Sequence, residues 1–531
     1  MVAIVPTLRL LTVAAAALFV LGEAENPAQQ SPPSAAPTVK LSTGAKLTGK
    51  LQTSVAGTSV AAFLGIPYTD APVGDKRWRQ STVKTITKDL NATAYGSICY
   101  GNPASDAVSG QFPPSEDCLY LNVFAPAGTK KDAKLPVMVW VYGGGFAAGA
   151  GNPYDGSNLI GASGQKVIVV NFNYRIGALG FLSNDEILQQ GQGANFGLRD
   201  QEVAFQWVKK NIGAFGGNAD DITAFAESAG AKSLSLHMLS RDGNQQLFRR
   251  AILQSGAYAT AASTPSPTLQ ATNTAKIAAA VGCDSVQGSV LACLRKANAS
   301  AIAKVSNTLG WVPTVDKVFL LEEPIRRVLA GKISRIPTIM GTNTDDGYLF
   351  GSDGDLATWI RSANTQMNEA EYARVLELYP AASFLTNKHR SGEVFNDYNF
   401  VCPSELLSDV LATSSTPVAS YRYRFNYTST EYGYPLVVHA KDLDYVFNRV
   451  ANLPTDDVTK KVVKDFQTFW TNYAITGTPT NATVWPPYNV ATKQQLMLQP
   501  TLGLELGGSY PAGHAERCAF WHAVDLRIAS Q

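Results

Sequence analysis

Residues 221–231 read Asp-Ile-Thr-Ala-Phe-Ala-Glu-Ser-Ala-Gly-Ala. An apolar segment of β character, 221–225, precedes Ser228, and a helical stretch begins around Ala229. A serine in a sharp strand-to-helix turn between small residues is typical of a nucleophile elbow, which lifts the hydroxyl above the edge of the sheet. The usual pattern is Gly-x-Ser-x-Gly, and here Ala226 replaces the first glycine. Taken alone, the motif leaves open a second interpretation, a serine that caps the helix.

A glycine-rich turn follows another apolar strand. Residues 135–141 predict a buried strand, and the chain continues through residues 142–146 as Tyr-Gly-Gly-Gly-Phe. Consecutive glycines after a core strand indicate backbone that approaches another group closely. In a hydrolase that group is the oxyanion of a tetrahedral intermediate, which main-chain N–H groups stabilise. A flexible turn is the alternative, and the presence of Ser228 in the same chain favours the hydrolase.

Strand and helix patterns alternate through the middle of the chain. This rhythm predicts βαβ units and a mostly parallel sheet. Strand candidates occur at 137–141, 167–172, 222–225, 251–254, 338–340 and 418–425. Near the end, apolar residues from Val462 to Tyr473 recur at helical spacing, which we interpret as core packing.

The ordered landmarks resemble those of the type-B carboxylesterase/lipase family, the group that includes cholinesterases and the large fungal lipases. They are spread over most of the chain, at 63–68, 116–123, 173–177, 251–256, 341–347 and 485–488. The resemblance implies an α/β-hydrolase fold, with a large, mostly parallel central sheet flanked by helices in a single catalytic domain. It also implies a carboxylic ester hydrolase that forms an acyl-enzyme on Ser228.

The resemblance supplies the other members of a catalytic triad. His439 is chosen among the five histidines because the segment after it is similar to the one after the family's catalytic histidine. The acid should lie between serine and histidine in the chain, and Asp346 occupies the position where most relatives carry glutamate. The aspartate is one methylene shorter, so we expect a small shift of the backbone or of His439. The neighbouring Asp345 is interpreted as a solvated turn carboxylate.

The resemblance also assigns the groups around the triad. The oxyanion hole consists of the N–H groups of Gly144, Gly145 and Ala229. Phe146 and Trp311 are assigned to the substrate pocket, and a core position for Trp311 is an equal alternative. A supporting role is implied for Glu227, and structural ion pairs are implied between Arg77 and Glu116 and between Arg175 and Asp200.

Composition and charge narrow the class of protein. With 531 residues and 45% hydrophobic content, the chain can bury a large core, and the functional residues meet only if most of it folds as one domain. A net charge of +2 is too small to predict electrostatic binding of nucleic acid or of an anionic membrane. No cysteine or histidine spacing fits a metal site, so we predict no metal and no cofactor.

The N-terminal segment predicts secretion. Arg9 precedes the largely apolar run 10–21, which is shorter than the roughly 20 residues of a membrane span, and a small-x-small site follows at 22–24. We therefore predict a signal peptide at 1–24, a disordered leader at 25–38 and the catalytic domain at 39–531. A short membrane anchor is the alternative for the first segment.

Six cysteines in a secreted chain indicate disulfides, and the sequence alone allows 15 pairings. The family resemblance selects Cys99 with Cys118, Cys283 with Cys293, and Cys402 with Cys518. Four Asn-x-Ser/Thr sites predict N-glycosylation in a eukaryotic host. They begin at Asn91, Asn298, Asn426 and Asn481.

The loop between the first two cysteines bears on the substrate. It contains no tryptophan to hold a quaternary ammonium, which disfavours a choline ester. It is also short and rich in proline, which disfavours the lid of a fungal lipase and favours soluble, short-acyl or compact aromatic esters. The alternatives are a fungal-type lipase and a catalytically silent adhesion module with this fold, which would lack the serine. Nothing in the sequence separates hydrolysis from acyl transfer to an alcohol.

Overall fold

A computed structural model describes residues 35–102, 110–243, 245–261, 267–413, 416–427 and 436–531. The predicted signal peptide, 1–24, lies outside these residues. The predicted leader, 25–38, overlaps them only at 35–38, where Thr38 begins the first strand. From residue 36 onward the chain forms one compact unit.

The strands include all six that the sequence predicts, together with an N-terminal group within residues 38–126 and two C-terminal strands within residues 495–505 that it does not. The strands are β1 Thr38–Lys40, β2 Lys46–Thr48, β3 Lys50–Thr53, β4 Ser59–Pro67, β5 Leu90–Asn91, β6 Ile98–Cys99, β7 Pro114–Ser115, β8 Tyr120–Pro126, β9 Leu135–Val141, β10 Ile168–Phe172, β11 Gly217–Glu227, β12 Arg250–Gln254, β13 Thr338–Asn343, β14 Ser420–Phe425, β15 Gln495–Leu498 and β16 Gly503–Glu505.

Along the chain, most helices follow one strand of the sheet and precede the next, as βαβ connections require. The helices are α1 Ser157–Ala162, α2 Gly177–Phe181, α3 Asp185–Gln189, α4 Phe196–Asn211, α5 Ala229–Leu239, α6 Pro267–Ala280, α7 Val290–Lys296, α8 Ala299–Ser306, α9 Pro324–Leu329, α10 Leu356–Ala363, α11 Glu369–Leu378, α12 Asn387–Asn396, α13 Cys402–Thr413, α14 Asp442–Val446, α15 Asp457–Thr476 and α16 His514–Ile528. A π-helical segment, Asp397–Val401, joins α12 to α13.

In the described residues, eleven strands form one mixed sheet in the order β16-β15-β14-β13-β12-β11-β9-β10-β8-β4-β3. The pairs from β10 through β15 are parallel, whereas β3, β4, β8 and β16 pair antiparallel at the two sides. Every position of β10 and β12 is buried, as expected for strands covered by helices on both faces. The predicted mostly parallel sheet flanked by helices is therefore confirmed.

The strand order reverses direction at β9. The chain leaves β9 for β10 on one side and later returns to β11 on the other, so β9 and β11 are neighbours. In open parallel sheets, the crevice at the carboxyl ends of two such strands is where ligands bind. Both candidate motifs follow these two strands, the glycine turn after β9 and Ser228 after β11.

Helix α15 shows how the C-terminal part joins the core. It begins after Asp456, whose carboxylate accepts the Thr459 N–H at 2.8 Å, and it ends at Gly477 with φ 84°. The predicted stripe from Val462 to Tyr473 is buried, so its interpretation as core packing is confirmed.

Three disulfides cross-link the chain, and they join the cysteine pairs that the resemblance implied. The bonds are Cys99–Cys118, Cys283–Cys293 and Cys402–Cys518. The last connects the start of α13 to α16 across a sequence separation of 116 residues. In the chain-entropy model, a cross-link of that length stabilises the fold by about 4 to 5 kcal/mol.

Two ion pairs lie where the resemblance implied them, one buried and one with a partly exposed carboxylate. Arg175 donates to both carboxylate oxygens of Asp200 at 2.7 and 2.8 Å, and the two side chains are 4% and 0% exposed. Arg77 donates to both oxygens of Glu116 at 2.6 and 2.7 Å, and the Glu116 side chain is 13% exposed. Because a buried carboxylate that loses its cation is costly, the Arg175–Asp200 pair resists removal of one partner.

We expect Arg175→Met to lower the free energy of unfolding by about 3 to 5 kcal/mol, because Asp200 would remain buried without its cation. Lys460→Met is the matched control, since the pair of Lys460 with Asp457 is exposed, and its loss should change stability by at most about 1 kcal/mol. Denaturant titration, checked for reversibility, measures both. Equal effects of the two substitutions would contradict the prediction.

Candidate active site

Ser228 is the single residue between β11 and α5, and its backbone lies in an unusual region with φ 55° and ψ −125°. A non-glycine residue in such a region costs on the order of 1–3 kcal/mol, and the surroundings must hold it there. The Ser228 N–H donates to Gln254 O at 2.9 Å, and the Ser228 carbonyl accepts the Lys232 N–H at 2.9 Å. Ser228 is therefore held from both β12 and α5 rather than acting as a side-chain cap of the helix.

Two glycines allow the elbow to pack tightly. A Cβ on Gly230 would lie 2.1 Å from Val141 O, so α5 can approach the end of β9 only without a side chain there. A Cβ on Gly143 would lie 2.6 Å from Glu227 Oε2 and 2.8 Å from the Ser228 Cβ, which places the start of the glycine turn against the end of β11 and the serine. The close approach predicted from three glycines is, at Gly143, an approach to Glu227 and Ser228.

The amides predicted to form an oxyanion hole belong to the glycine turn and to the residue after Ser228. Gly144 and Gly145 adopt φ values of 107° and 62°, and Ala229 directly follows Ser228. None of these three N–H groups donates to another described residue. Free, fixed amides beside a hydroxyl are the donors that a developing oxyanion requires.

His439 and Asp346 meet as the sequence predicts. His439 Nδ1 lies 2.9 Å from Asp346 Oδ1, and Asp346 Oδ2 accepts the Asn343 N–H at 2.7 Å. Asp346 is fully buried at the end of β13, so both of its oxygens are fixed. With Nδ1 donating to Asp346, Nε2 is the nitrogen that can accept a proton. The shorter acid therefore reaches the histidine at an ordinary hydrogen-bond distance.

Asp345 differs from the expected solvated turn carboxylate. Its Oδ2 accepts the Val437 N–H at 2.8 Å, and its own N–H donates to Val437 O at 3.0 Å. The residue also forms a parallel β-bridge with Val438. Asp345 thus fastens the segment that carries His439 to the end of β13, while Asp346 contacts the imidazole.

Glu227 lies beside Nε2 of His439, the ring nitrogen that does not contact Asp346. His439 Nε2 lies 3.0 Å from Glu227 Oε1, at ion-pair distance but without hydrogen-bond geometry. Ser228 Oγ has no hydrogen-bond partner among the described residues. Burial raises the pKa of Glu227. Burial by itself would lower the pKa of His439, but the Glu227 carboxylate and the bond to Asp346 raise it.

A buried polar network behind the triad was not found from the sequence. Asp442 is fully buried, and its carboxylate accepts Gln254 Nε2 at 2.6 Å and Asn343 Nδ2 at 3.3 Å. Gln254 in turn accepts the Trp470 indole N–H at 2.9 Å. Burial and the nearby Asp346 raise the pKa of Asp442 to about 6. The network joins β12, β13 and α15 beneath His439.

Aromatic rings enclose His439 on its other sides. The Phe400 ring stacks on the imidazole with centroids 4.7 Å apart and an interplanar angle of 19°, and Phe350 meets it edge-on at 5.2 Å. Phe400 lies in the π-helical segment, where the neighbouring Asn399 accepts a hydrogen bond from Lys232. The signal in the sequence for this contact is Lys232, a cation among the buried residues of α5. Burial lowers its pKa to about 8.

The two residues assigned to the substrate pocket lie in packed surroundings. Phe146 is buried and meets Phe181 edge-on at 5.2 Å. Trp311 is buried, and its indole N–H donates to Ser306 O at 3.1 Å. Their place in the pocket remains a prediction. Residues 103–109 of the loop between the first two cysteines, the segment judged too short for a lid, lie outside the described residues.

Residues 35–521 match the sequence profile of the carboxylesterase family. The para-nitrobenzyl esterase of Bacillus subtilis is 36% identical over 481 residues, which cover 84% of this chain and 92% of that protein. The chain belongs to the carboxylesterase family. Mouse (Mus musculus) cholinesterase is 32% identical over 528 residues, covering 89% of this chain and 84% of that protein. Among solved structures, Aspergillus niger EstA matches with a TM-score of 0.83 at 27% identity, over 93% of this chain and 99% of that one.

Family membership confirms the α/β-hydrolase fold and establishes a carboxylic ester hydrolase. Esters of small molecules are accordingly its class of substrate. Among the described helices, none combines the length and apolar character that crossing a membrane requires.

We expect Glu227→Gln to move the acidic limb of the kcat/KM profile for ester hydrolysis to lower pH by at least about one unit. A histidine accepts a proton only when neutral, and removing the neighbouring negative charge lowers the pKa of His439. Rates measured from pH 4 to pH 10 check this. Glu202→Gln, which removes a carboxylate paired with Arg199 on α4, should leave the limb in place. A limb unmoved by Glu227→Gln would contradict the prediction.

Proposed function

We propose that the chain is a secreted serine esterase that works through an acyl-enzyme on Ser228, with His439 as general base and Asp346 as its orienting acid. The observation that carries the proposal is the 2.9 Å contact between His439 Nδ1 and Asp346 Oδ1 beside the strained backbone of Ser228. Serine becomes a useful nucleophile only when a positioned base removes its proton, and the base needs a partner to hold its tautomer.

In the first half-reaction, Ser228 Oγ attacks the ester carbonyl carbon and its proton passes to His439 Nε2. The carbonyl oxygen becomes an oxyanion, which the amides of Gly144, Gly145 and Ala229 stabilise. Collapse of this intermediate breaks the bond to the alcohol, which leaves with the proton from His439. Water then attacks the acyl-enzyme with the same base, and the carboxylic acid leaves.

The position of Glu227 fits this scheme. Its carboxylate lies 3.0 Å from His439 Nε2, and Ser228 is the next residue in the chain. The hydrogen bond from the serine hydroxyl to the imidazole has to form on substrate binding, and catalytic hydrogen bonds commonly tighten at that step. As His439 gains a proton, the Glu227 carboxylate stabilises the imidazolium.

A cleft of about 420 Å³ includes His439, Ala440 and Leu349 in its lining, so the histidine is accessible from it. The lining contains neither Ser228 nor the glycine turn, so the size of this cleft does not set the size of the acyl group. The short first disulfide loop and Trp311 favour short-acyl or compact aromatic esters over long-chain lipids.

Secretion and glycosylation belong to the same proposal. Three disulfides are typical of a chain that folds in an oxidising compartment. Among the predicted glycosylation sites, Asn91, Asn298 and Asn481 are exposed, whereas Asn426 is half-buried. We therefore expect glycans at the three exposed positions when the chain is made in a eukaryotic secretory pathway.

The experiment that tests the mechanism is Ser228→Ala with para-nitrophenyl acetate as substrate. Turnover should fall by about 10³-fold or more, and the burst of para-nitrophenol that marks acyl-enzyme formation should disappear. Mass spectrometry of the wild-type protein, quenched during turnover, should find the acetyl group on Ser228. An unchanged burst in the variant would overturn the proposal.

We expect Asp346→Asn to reduce kcat by about 10³- to 10⁴-fold, because an amide at this position no longer fixes the tautomer of His439. Asp345→Asn is the matched control. It keeps an oxygen that can accept the Val437 N–H, so kcat should fall less than about tenfold. Steady-state rates on one ester compare the two variants. A larger loss with Asp345→Asn would move the assignment of the acid by one residue.

We also expect kcat/KM to be highest for short acyl chains and to show no rise when the substrate passes its solubility limit. A series of para-nitrophenyl esters from acetate to palmitate measures the first expectation, and tributyrin below and above saturation measures the second. Trp311→Ala should shift the optimum toward longer chains if the indole bounds the pocket. A maximum at long chains or a sharp rise with droplets would indicate a lipase.

A further inference from the structure

Lys232 is a cation in an unfavourable place. It is the fourth residue of α5, near the positive end of the helix, and it is only 9% exposed. A helix N-terminus repels a positive charge, and burial removes the water that would solvate it. Burial lowers the pKa of Lys232 to about 8, and the Asp525 carboxylate opposes that shift. A cation that is kept at this cost needs a compensating contact.

The ammonium of Lys232 contacts the π-helical segment before α13. It donates to Asn399 Oδ1, and it lies 5.9 Å from the centre of the Phe400 ring, within the range of cation–π attraction. At the start of the segment, Arg517 donates to Asp397 Oδ2 at 2.6 Å. A π-helical turn departs from the regular helical repeat, so side-chain contacts have to hold it. Lys232 supplies such contacts at the end that carries Phe400.

Phe400 limits how the His439 imidazole can turn. The two rings have centroids 4.7 Å apart and an interplanar angle of 19°. The hydrogen bond between His439 Nδ1 and Asp346 holds one atom of the imidazole but leaves the ring free to tilt about that bond. A second ring stacked on its face removes this freedom. The direction of Nε2 therefore depends on where the Phe400 ring lies.

We propose that Lys232 is a positioning residue for ester hydrolysis: its ammonium holds the π-helical segment where Phe400 fixes the plane of the His439 imidazole. This inference rests on the proposed function, since the orientation of Nε2 matters only if it takes the serine proton. Lys232 acts through Phe400 rather than on the reacting atoms. Its removal therefore leaves binding of the ester intact and slows the chemical step.

Lys232→Met tests this role, because methionine keeps the length of the side chain and removes the ammonium. With para-nitrophenyl acetate, kcat should fall about tenfold or more, while KM stays within about twofold of the wild type. Lys209→Met is the matched control, since Lys209 on α4 also donates to a neutral oxygen, Gln246 O at 2.7 Å. It should leave kcat unchanged. Equal kcat in the wild type and in Lys232→Met would overturn the proposal.

The double variant shows whether Lys232 acts through Phe400. Phe400→Leu alone should lower kcat at least as far as Lys232→Met does. Lys232→Met combined with Phe400→Leu should lose no more than Phe400→Leu alone, because without the ring the ammonium has nothing to position. Two losses that multiply would mean that Lys232 acts by another route, and the proposal would fail.

The imidazole can also be observed without turnover, by nuclear magnetic resonance of isotope-labelled histidine. The signal of His439 is identified by its loss in His439→Gln. Lys232→Met should move this signal in the same direction as Phe400→Leu, whereas Lys209→Met should leave it in place. A signal unmoved by Lys232→Met would refute the positioning role. Because no substrate is present, this result is independent of the proposed function, which full activity in Ser228→Ala would overturn.

Asn399→Leu reaches the same link from the other side and keeps the test decisive should Lys232→Met fail to fold. It removes the acceptor and leaves Lys232 in place, so kcat should fall at least about threefold. The signal of His439 should move as it does in Phe400→Leu. Thermal unfolding followed by circular dichroism establishes that each variant is folded. Full activity and an unmoved signal in folded Asn399→Leu would overturn the proposal.

Discussion

The backbone of Ser228 is the constraint on which the rest of the site depends. At φ 55° and ψ −125° it can persist only if the elements around it leave no alternative. Strand β12 accepts its N–H, helix α5 starts at the next residue, and Gly230 lets that helix touch the end of β9. The same contacts bring the glycine turn against the serine. Removing any of these close approaches would relax the turn and separate the hydroxyl from the amides.

A surplus of negative charge surrounds the single imidazole. Glu227, Asp346 and Asp442 are all buried near His439, and burial together with the neighbouring carboxylates raises the pKa values of Glu227 and Asp442. The cluster favours a protonated histidine, which is the state reached when the serine gives up its proton. Stabilising that state lowers the cost of the first step, but it also leaves a smaller fraction of the resting histidine neutral and able to accept the serine proton as the pH falls.

Local motifs made much of the site predictable. Ser228, the glycine turn, His439 and Asp346 stand in sequence contexts that specify their surroundings within a few residues. Other features depend on contacts between distant segments, such as Phe400 on His439 and Trp470 on Gln254, and no local pattern signals them. Asp345 was misjudged for the same reason, because its partner Val437 lies far along the chain. The strands before residue 135 were missed because they are short or belong to antiparallel pairs outside the βαβ rhythm.

The π-helical segment before α13 has a consequence for how such chains change length during evolution. A π turn holds one residue more than an α turn, so Asp397–Val401 amounts to a one-residue insertion within a continuous helix. Deleting one residue there would restore the α-helical repeat and rotate the residues before the deletion by about 100° relative to those after it. With Val401 deleted and α13 held in place, the ring of Phe400 would turn away from His439, and Asn399 would leave Lys232. Gain or loss of a single codon at this point therefore exposes or covers one face of the histidine without altering any residue of the triad.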